Sequence, residues 1–207
     1  MLTGKKIVLG VSGGIAAYKM ANVASMLSKL HADIHVVMTE NATHFITPET
    51  FEVLTGNHCY TDTFDRCMEL HVPHIALGTQ ADAILIAPAS ADVVGKIANG
   101  IADDMLTTCV LPATCPVMLA PSMNVHMYEN PIVQDNMKKL ASYGYEIIEA
   151  DEGYLACRDI GKGKLPPEHV LVDYIIRACA MDKDLAGKKV LVTAGATQES
   201  IDPVLTL

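Results

Sequence analysis

The chain alternates short apolar runs with segments in which apolar residues recur at helical spacing. The first run, residues 7–11, breaks at Ser12-Gly13-Gly14, and one helical face then collects Met20, Val23, Ala24, Leu27 and Leu30. This pattern predicts a strand, a tight turn and a helix. Backbone N–H groups at such glycines, a serine hydroxyl and a helix N-terminus together suit an anion. The residues alone leave two interpretations open, a phosphate cradle or glycines that serve close helix packing.

Three later segments repeat the strand-then-turn pattern. Residues 33–39, 81–88 and 116–120 read as buried strands, and a polar residue ends or follows each of them: Thr39, Ser90 and Asn124. Because the carboxyl ends of parallel strands meet at one edge, we expect Ser12, Thr39 and Ser90 to face the same crevice. Thr39 equally suits an ordinary helix cap, and Asn124 an ordinary turn residue.

The remaining pattern completes an α/β chain. Helices are predicted over residues 47–54, from Pro73 onward, and over 94–99, 103–110, 130–143 and 170–181, with a short strand at 146–149 and an aperiodic loop at 151–167. Half of the residues are hydrophobic and 19% are charged. Alternating buried strands and amphipathic helices predict a doubly wound, Rossmann-like or flavodoxin-like parallel sheet with helices on both faces.

Composition and charge exclude several classes of protein. No apolar run approaches the roughly 18 residues of a membrane span, and no secretory pattern opens the chain, so we expect a cytoplasmic protein without membrane contact. The formal net charge of −9 argues against nucleic-acid binding. The six cysteines show no C-x-x-C pair, which predicts that most are core thiols.

Three residues are candidates for chemistry. Cys67 and His71 precede His74 at metal-like spacing, but Pro73 interrupts the face, so no metal site is predicted and His74 is a candidate acid/base. The amide of Asn124 could hold a carboxylate without adding charge. Cys157 lies in the aperiodic loop beside cations that favour thiolate: Arg158, Lys162 and Lys164.

Taken together, these motifs resemble the homo-oligomeric flavin-containing cysteine decarboxylases along residues 4–181. The resemblance is carried by Ser12-Gly13-Gly14-Ile15-Ala16-Ala17-Tyr18-Lys19, the His74 helix, Pro88-Ala89-Ser90-Ala91-Asp92, Pro121-Ser122-Met123-Asn124 and the loop from Ala156-Cys157 to Gly163. It implies FMN as cofactor, with contacts from Ser12, Gly13, Gly14, Thr39, Ser90, Ala91, Asp92 and Val93. Asp92 and Val93 replace the Asn and Thr of the commonest family form.

The same resemblance implies an activity and roles for its residues. The expected reaction is decarboxylation of 4'-phospho-N-pantothenoyl-L-cysteine to 4'-phosphopantetheine, with thiol oxidation to a thioaldehyde, loss of CO2 and return of the hydride. His74 would be the acid/base, Asn124 would orient the substrate carboxylate and Cys157 would supply the final proton. The implied substrate contacts are Met123, Asn124, Ala156, Lys162 and Lys164, and the implied assembly is a trimer-based homo-oligomer.

The end of the chain repeats its beginning. Residues 185–192 echo residues 2–9, and the stretch from Gly195 to Val204 is similar to the opening of phosphopantothenate–cysteine ligase. We therefore expect a decarboxylase domain at 1–182 and, at 183–207, a linker with the incomplete start of a ligase domain. Ligase activity is not expected from this segment.

Related functions share the fold and stay open as alternatives. One is a decarboxylase of peptides that end in cysteine, against which the ligase-like tail argues. Another is a flavin-dependent prenyltransferase, which lacks the Asn124 and Cys157 motifs. A third is a non-catalytic FMN-binding regulatory subunit of a phosphatase; the joint presence of His74, Asn124 and Cys157 favours catalysis.

Overall fold

Parallel strands form the centre of the molecule in a computed structural model that describes residues 1–64, 72–154, 159–180 and 187–193. Within these residues the main sheet has six strands in the order β3-β2-β1-β4-β5-β6, all parallel. Its strands are β1 (Lys6–Val11), β2 (Asp33–Met38), β3 (Cys59–Tyr60), β4 (Ala83–Ala89), β5 (Val117–Pro121) and β6 (Glu146–Ile147). The doubly wound fold predicted from the sequence is confirmed.

Helices cover both faces of the sheet. A 3-10 helix over Ile15–Lys19 leads into α1 (Met20–Lys29), and the chain continues through α2 (Glu40–Thr43), α3 (Pro48–Thr55), α4 (Pro73–Gln80), α5 (Ala91–Ala98), α6 (Met105–Val110), α7 (Val125–Tyr128), α8 (Pro131–Ser142) and α9 (Glu168–Cys179). Among the described residues none of the helices is long and apolar enough to cross a membrane.

Side-chain alternation along β1 divides the core into two layers. Ile7, Leu9 and Val11 belong to the layer under α1, α3 and α9, whereas Val8 belongs to the layer under α4, α5, α6 and α8. Successive side chains of a strand point to opposite faces, so a strand buried on both faces needs a continuous apolar run. The run that opens the chain therefore sets β1 at the centre of the sheet.

The prediction of an aperiodic loop at 151–167 is wrong for those residues of the segment that the structure describes. Residues Asp151–Tyr154 and Ile160–Lys164 form an antiparallel hairpin, β7 and β8, with a register shift after Asp151. Glycines at positive φ, Gly153 (156°) and Gly163 (133°), bend strands that have little apolar alternation. These strands therefore lack the alternation of apolar and polar residues by which a strand is recognised in a sequence.

The other differences between the sequence prediction and the structure concern elements that are very short or that lack a neighbouring strand. The edge strand β3 and the helix α7 are each too short to give a periodic pattern, and neither was predicted. Although residues 185–192 echo residues 2–9 in sequence, no strand is formed within residues 187–193, where Val190, Leu191 and Val192 are exposed. A strand needs a neighbour for its backbone hydrogen bonds, and none of the described strands pairs with this segment.

Candidate active site

The ends of β1 and β4 are joined by the hydroxyl of Ser12. This buried oxygen donates to the carbonyl of Pro88 at 2.7 Å and accepts from the backbone N–H of Ser90 at 2.9 Å. The sequence suggested Ser12 as a donor to a ligand phosphate, but here its single hydroxyl proton is used within the protein. Ser12 therefore fixes the spacing of the two loops that border the crevice.

Beside Ser12, the two glycines differ in their surroundings. A Cβ on Gly13 would lie 2.5 Å from the Cβ of Asn41, so Gly13 allows the first loop to pack against α2. A Cβ on Gly14 would meet no atom within 4 Å, and Gly14 lines a pocket. The space in front of Gly14 is therefore available to a ligand that approaches the backbone.

Thr39 follows β2 at the same edge and holds an unusual hydroxyl. It occupies the N-cap position of α2, yet its side chain makes no capping hydrogen bond. The Oγ1 atom is buried and has no hydrogen-bond partner among the described residues. Since an unsatisfied buried hydroxyl costs about 1–3 kcal/mol, a ligand acceptor at this place would remove a penalty.

A pocket of about 510 Å³ opens at this carboxyl edge. It lies between the 3-10 helix, the start of α5, residues 122–124 and the strand β8. Seven predicted site residues are among those that line it: Gly13, Gly14, Ser90, Ala91, Met123, Asn124 and Lys164. The sequence interpretation missed several other lining residues, among them Tyr18, Lys19, Ser122, Met127 and Tyr154. Lys19 could have been found, because it ends the glycine-rich motif itself.

Side chains at the start of α5 make their contacts with other residues of the protein. Ser90 caps the helix by accepting from the backbone N–H of Val93 at 3.3 Å, and the Val93 side chain is buried in the core. The carboxylate of Asp92 is 64% exposed and pairs with Lys96 at 3.4 Å. The hydrogen bond that Lys96 donates to Asp103, with the carboxylates of Asp104 and Asp92 close by, holds the pKa of Lys96 above its ordinary range. The described contacts thus turn Asp92 toward Lys96, and any contact of Val93 with a ligand would come from its backbone.

The side chain of Asn124 is hydrogen-bonded through both its oxygen and its nitrogen. Its Oδ1 accepts from the backbone N–H of His126 at 2.8 Å and so caps α7, while its Nδ2 donates to Asp159 Oδ2 at 2.9 Å. Both partners require the same assignment of oxygen and nitrogen in the amide. The sequence interpretation gave Asp159 no role, and its contact with Asn124 joins residues 35 positions apart.

The other predicted residues lie elsewhere. His74 stands in the first turn of α4, where its Nδ1 is buried and lacks a hydrogen-bond partner among the described residues, and it is not part of the pocket lining. Lys162 pairs with Glu149 on the exposed side of the hairpin, whereas Lys164 lines the pocket. Ala156 and Cys157 lie outside the described residues, as do Cys67 and His71. In the described ranges no cluster of His, Cys, Asp or Glu has the geometry of a metal site.

Fold and pocket define a doubly wound α/β protein with a crevice at the point where the strand order reverses, which is where proteins of this fold bind their ligands. The chain belongs to the flavoprotein family, whose family model matches residues 1–180. The resemblance found in the motifs is thereby confirmed.

Individual relatives narrow the comparison. The chain is 48% identical over 206 residues to the coenzyme A biosynthesis bifunctional protein CoaBC of Bacillus subtilis, covering 99% of this chain and 51% of that protein. It therefore spans about half the length of this relative. A PPC decarboxylase mutant complexed with pantothenoylaminoethenethiol superimposes with a TM-score of 0.74 at 29% identity, over 83% of this chain and 96% of the other. The FMN-dependent cysteine decarboxylase SpaF superimposes with a TM-score of 0.72 at 34% identity, over 84% of this chain and 99% of the other.

Proposed function

We propose that this chain is an FMN-dependent carboxy-lyase that converts 4'-phospho-N-pantothenoyl-L-cysteine to 4'-phosphopantetheine in coenzyme A biosynthesis. The observation that carries the proposal is the 48% identity, sustained along 99% of the chain, to a bifunctional protein of coenzyme A biosynthesis. The likeness to PPC decarboxylase supports decarboxylation as the reaction of this chain. We further propose domain limits of 1–182 for the decarboxylase and 183–207 for a linker and ligase start.

The crevice suits the phosphate and ribityl chain of FMN. Open space at Gly14, the unpartnered buried hydroxyl of Thr39 and the lining position of Ser90 and Ala91 support this placement. We keep Ser12 and Gly13 in the proposed site as the residues that shape the loop, and Asp92 and Val93 for backbone contacts. When bound, FMN would supply a hydride acceptor for the substrate thiol and return the hydride after CO2 has left.

On the substrate side, the amide of Asn124 would donate to the carboxylate that is lost. An amide donor holds a carboxylate without the full attraction of a cation, so departure of neutral CO2 is not strongly opposed. Met123 and Lys164 line the same pocket and would contact the substrate, with Ala156 and Lys162 as further proposed contacts. Cys157 would give the final proton.

His74 is proposed as the acid/base, and its place supports an assembled enzyme. Since His74 does not line the pocket described in its own chain, we propose that a neighbouring subunit of a trimer-based homo-oligomer completes the site. Exposed apolar side chains at the rim, Tyr18, Met127 and Tyr154, support an additional contact surface there. Sedimentation velocity on the holoprotein tests this; a monomer at working concentration would contradict it. A cytoplasmic location belongs to the same proposal and follows from the pathway.

Turnover of the purified holoprotein tests the function. Absorbance bands at about 370 and 450 nm would report bound flavin. Incubation with 4'-phosphopantothenoylcysteine should then release CO2 and 4'-phosphopantetheine, followed by mass spectrometry. A yellow protein without turnover would contradict the proposal and favour the binding-subunit alternative. Turnover of a peptide ending in cysteine in preference to the phosphorylated substrate would favour the peptide decarboxylase alternative.

A further inference from the structure

Hydrogen bonds join the ends of three strands at the carboxyl edge of the sheet. At the ends of β1 and β4 they come from Ser12, whose Oγ donates to the carbonyl of Pro88 at 2.7 Å and accepts from the backbone N–H of Ser90 at 2.9 Å. At the ends of β4 and β5, the backbone N–H of Ser122 donates to the carbonyl of Ala89 at 3.1 Å. In the described part of the chain, Ser12 is thus the residue whose side chain links the end of β1 to the start of α5.

The hydroxyl of Ser12 acts inside the protein. Its side chain is fully buried, and Ser12 is not among the described residues that line the pocket. A serine hydroxyl has one proton, and that of Ser12 is donated to Pro88. In this arrangement Ser12 cannot donate a hydrogen bond to a ligand, so it can influence a ligand only through the groups that it holds in place.

The groups held by Ser12 belong to the first turn of α5. Ser90 is the N-cap of this helix and lines the pocket together with Ala91. The first N–H groups of a helix have no acceptor within it, which suits them to phosphate. Ser90 accepts from that of Val93, whereas no described residue accepts from the N–H groups of Ala91 and Asp92. Because Ser90 immediately precedes them, its bond to Ser12 restrains these two groups.

We propose that Ser12 is a positioning residue, whose hydroxyl fixes the start of α5 so that the N–H groups of its first turn meet the phosphate of the flavin cofactor. The inference rests on the proposed function for the identity of the cofactor, whereas the bonds of Ser12 do not depend on it. At the same edge of the sheet, the buried and unpartnered hydroxyl of Thr39 is an independent sign that a ligand acceptor belongs there. FMN and riboflavin differ only in the phosphate, so the effect of Ser12 should fall on the preference between them.

The first test measures that preference on the holoprotein. The protein is equilibrated with equal excess concentrations of FMN and riboflavin, free flavin is removed by gel filtration, and the bound ratio of FMN to riboflavin is determined by liquid chromatography. Ser12→Ala should lower this ratio at least tenfold, while Ser12→Thr keeps the hydroxyl and should stay within about threefold of wild type. A variant that only folds less well would lose both flavins in proportion, so an unchanged ratio in Ser12→Ala would overturn the proposal. An equal fall in both variants would overturn it as well.

Thr107 provides the matched control. Its hydroxyl is also buried and bonded within the protein, donating to Asp104 Oδ1 at 2.9 Å in the cap of α6, and it does not line the pocket. Thr107→Val should lower the melting temperature, as Ser12→Ala does, yet keep the flavin ratio within about twofold of wild type. If the ratio fell as far in Thr107→Val, it would report a general loss of stability, and the role assigned to Ser12 would be wrong.

A second test follows the backbone directly and needs no turnover. In hydrogen–deuterium exchange of the holoprotein, followed by mass spectrometry, Ser12→Ala should speed exchange in residues 88–94 more than in α6, and Thr107→Val should do the reverse. Unchanged exchange in residues 88–94 would refute the positioning role. Equal retention of both flavins by the wild type would overturn the phosphate contact together with the proposed cofactor. A preference for FMN that Ser12→Ala leaves intact would overturn the role of Ser12 alone.

Discussion

Replacing Asn124 by Asp changes one atom at the centre of the proposed site. The side chain keeps its size, and an oxygen remains to accept from the backbone N–H of His126, so α7 keeps its cap. The nitrogen that donates to Asp159 at 2.9 Å becomes an oxygen. Two carboxylates then stand where a donor and an acceptor stood, and the pocket loses its amide donor.

The expected effect is large compared with ordinary surface substitutions. The lost charge-assisted hydrogen bond is worth about 1.5–3 kcal/mol. Two unit charges about 3 Å apart repel by about 5.5 kcal/mol at an effective dielectric of about 20, and by about 1.4 kcal/mol in water. Because both residues are half-buried, the repulsion falls between these limits and raises the pKa of one carboxyl in the variant. We expect affinity for 4'-phosphopantothenoylserine, an analogue of the proposed substrate whose hydroxyl resists the oxidation expected of the thiol, to fall at least about 100-fold, which corresponds to about 2.7 kcal/mol.

The raised pKa also fixes the sign of a pH effect on stability. The folded variant would hold a proton that the unfolded chain releases near pH 4, so its stability falls as pH rises through the window between these two pKa values. The difference in free energy of unfolding between wild type and Asn124→Asp should therefore be small near pH 4 and larger at pH 7. Urea unfolding of the holoprotein at both pH values measures it.

Asn130→Asp is the matched control. Asn130 caps α8 with the same geometry, accepting from the backbone N–H of Ile132 at 2.9 Å, but it is exposed and does not line the pocket. We expect this variant to keep wild-type affinity within about twofold and a flat stability difference across the same pH range. If Asn124→Asp behaved like Asn130→Asp in both measurements, the assignment of the Asn124 amide as the carboxylate donor would be refuted.

Further predictions concern the cofactor and the proposed catalytic groups. Gly14→Ala should bind FMN about tenfold more weakly, with a melting temperature within about 2 °C of that of the wild type. Gly13→Ala should lower the melting temperature, because its Cβ would come within 2.5 Å of a side chain of α2. Equal effects of the two substitutions on stability would contradict this prediction. Thr39→Val should preserve or raise apoprotein stability and weaken FMN binding about tenfold, since its hydroxyl is buried without a described partner; unchanged fluorescence titrations would argue against a ligand role. Cys157→Ser should release CO2 but accumulate the unsaturated enethiol in mass spectra, and normal turnover would exclude it as proton donor. His74→Asn should retain flavin yet lose turnover, and mixing its subunits with Cys157→Ser subunits should restore activity; loss of flavin, or no recovery, would exclude His74 as a group supplied between subunits.

Much of the fold could be predicted because its signals are local. The continuous apolar run of β1 and the apolar face of α1 each lie within a few turns of sequence, and burial in both layers follows from them. Motifs at strand ends likewise located Gly13, Gly14, Ser90 and Asn124 at one edge. Each of these four residues lines the same pocket.

The remaining features depend on contacts that no local pattern contains. The hydroxyl of Ser12 donates to the carbonyl of Pro88 near the end of β4, 76 positions away in the sequence. The hairpin is held by the approach of Gly163 to Met123, which a reading of residues 151–167 alone cannot reveal. Asp159 gains its importance only when that approach places it against Asn124.

The net negative charge of the chain does not prevent an anionic ligand from binding, because the carboxylates near the crevice already have partners. Asp92 is paired with Lys96, Glu149 with Lys162, and Asp159 is hydrogen-bonded to Asn124, so each of these charges already has a partner. The lining also contains two lysines, Lys19 and Lys164, which form no ion pair with another described residue. At physiological salt, charges more than about 8 Å away are largely screened. The potential in the pocket is therefore set by these lysines and by backbone donors rather than by the net charge of −9.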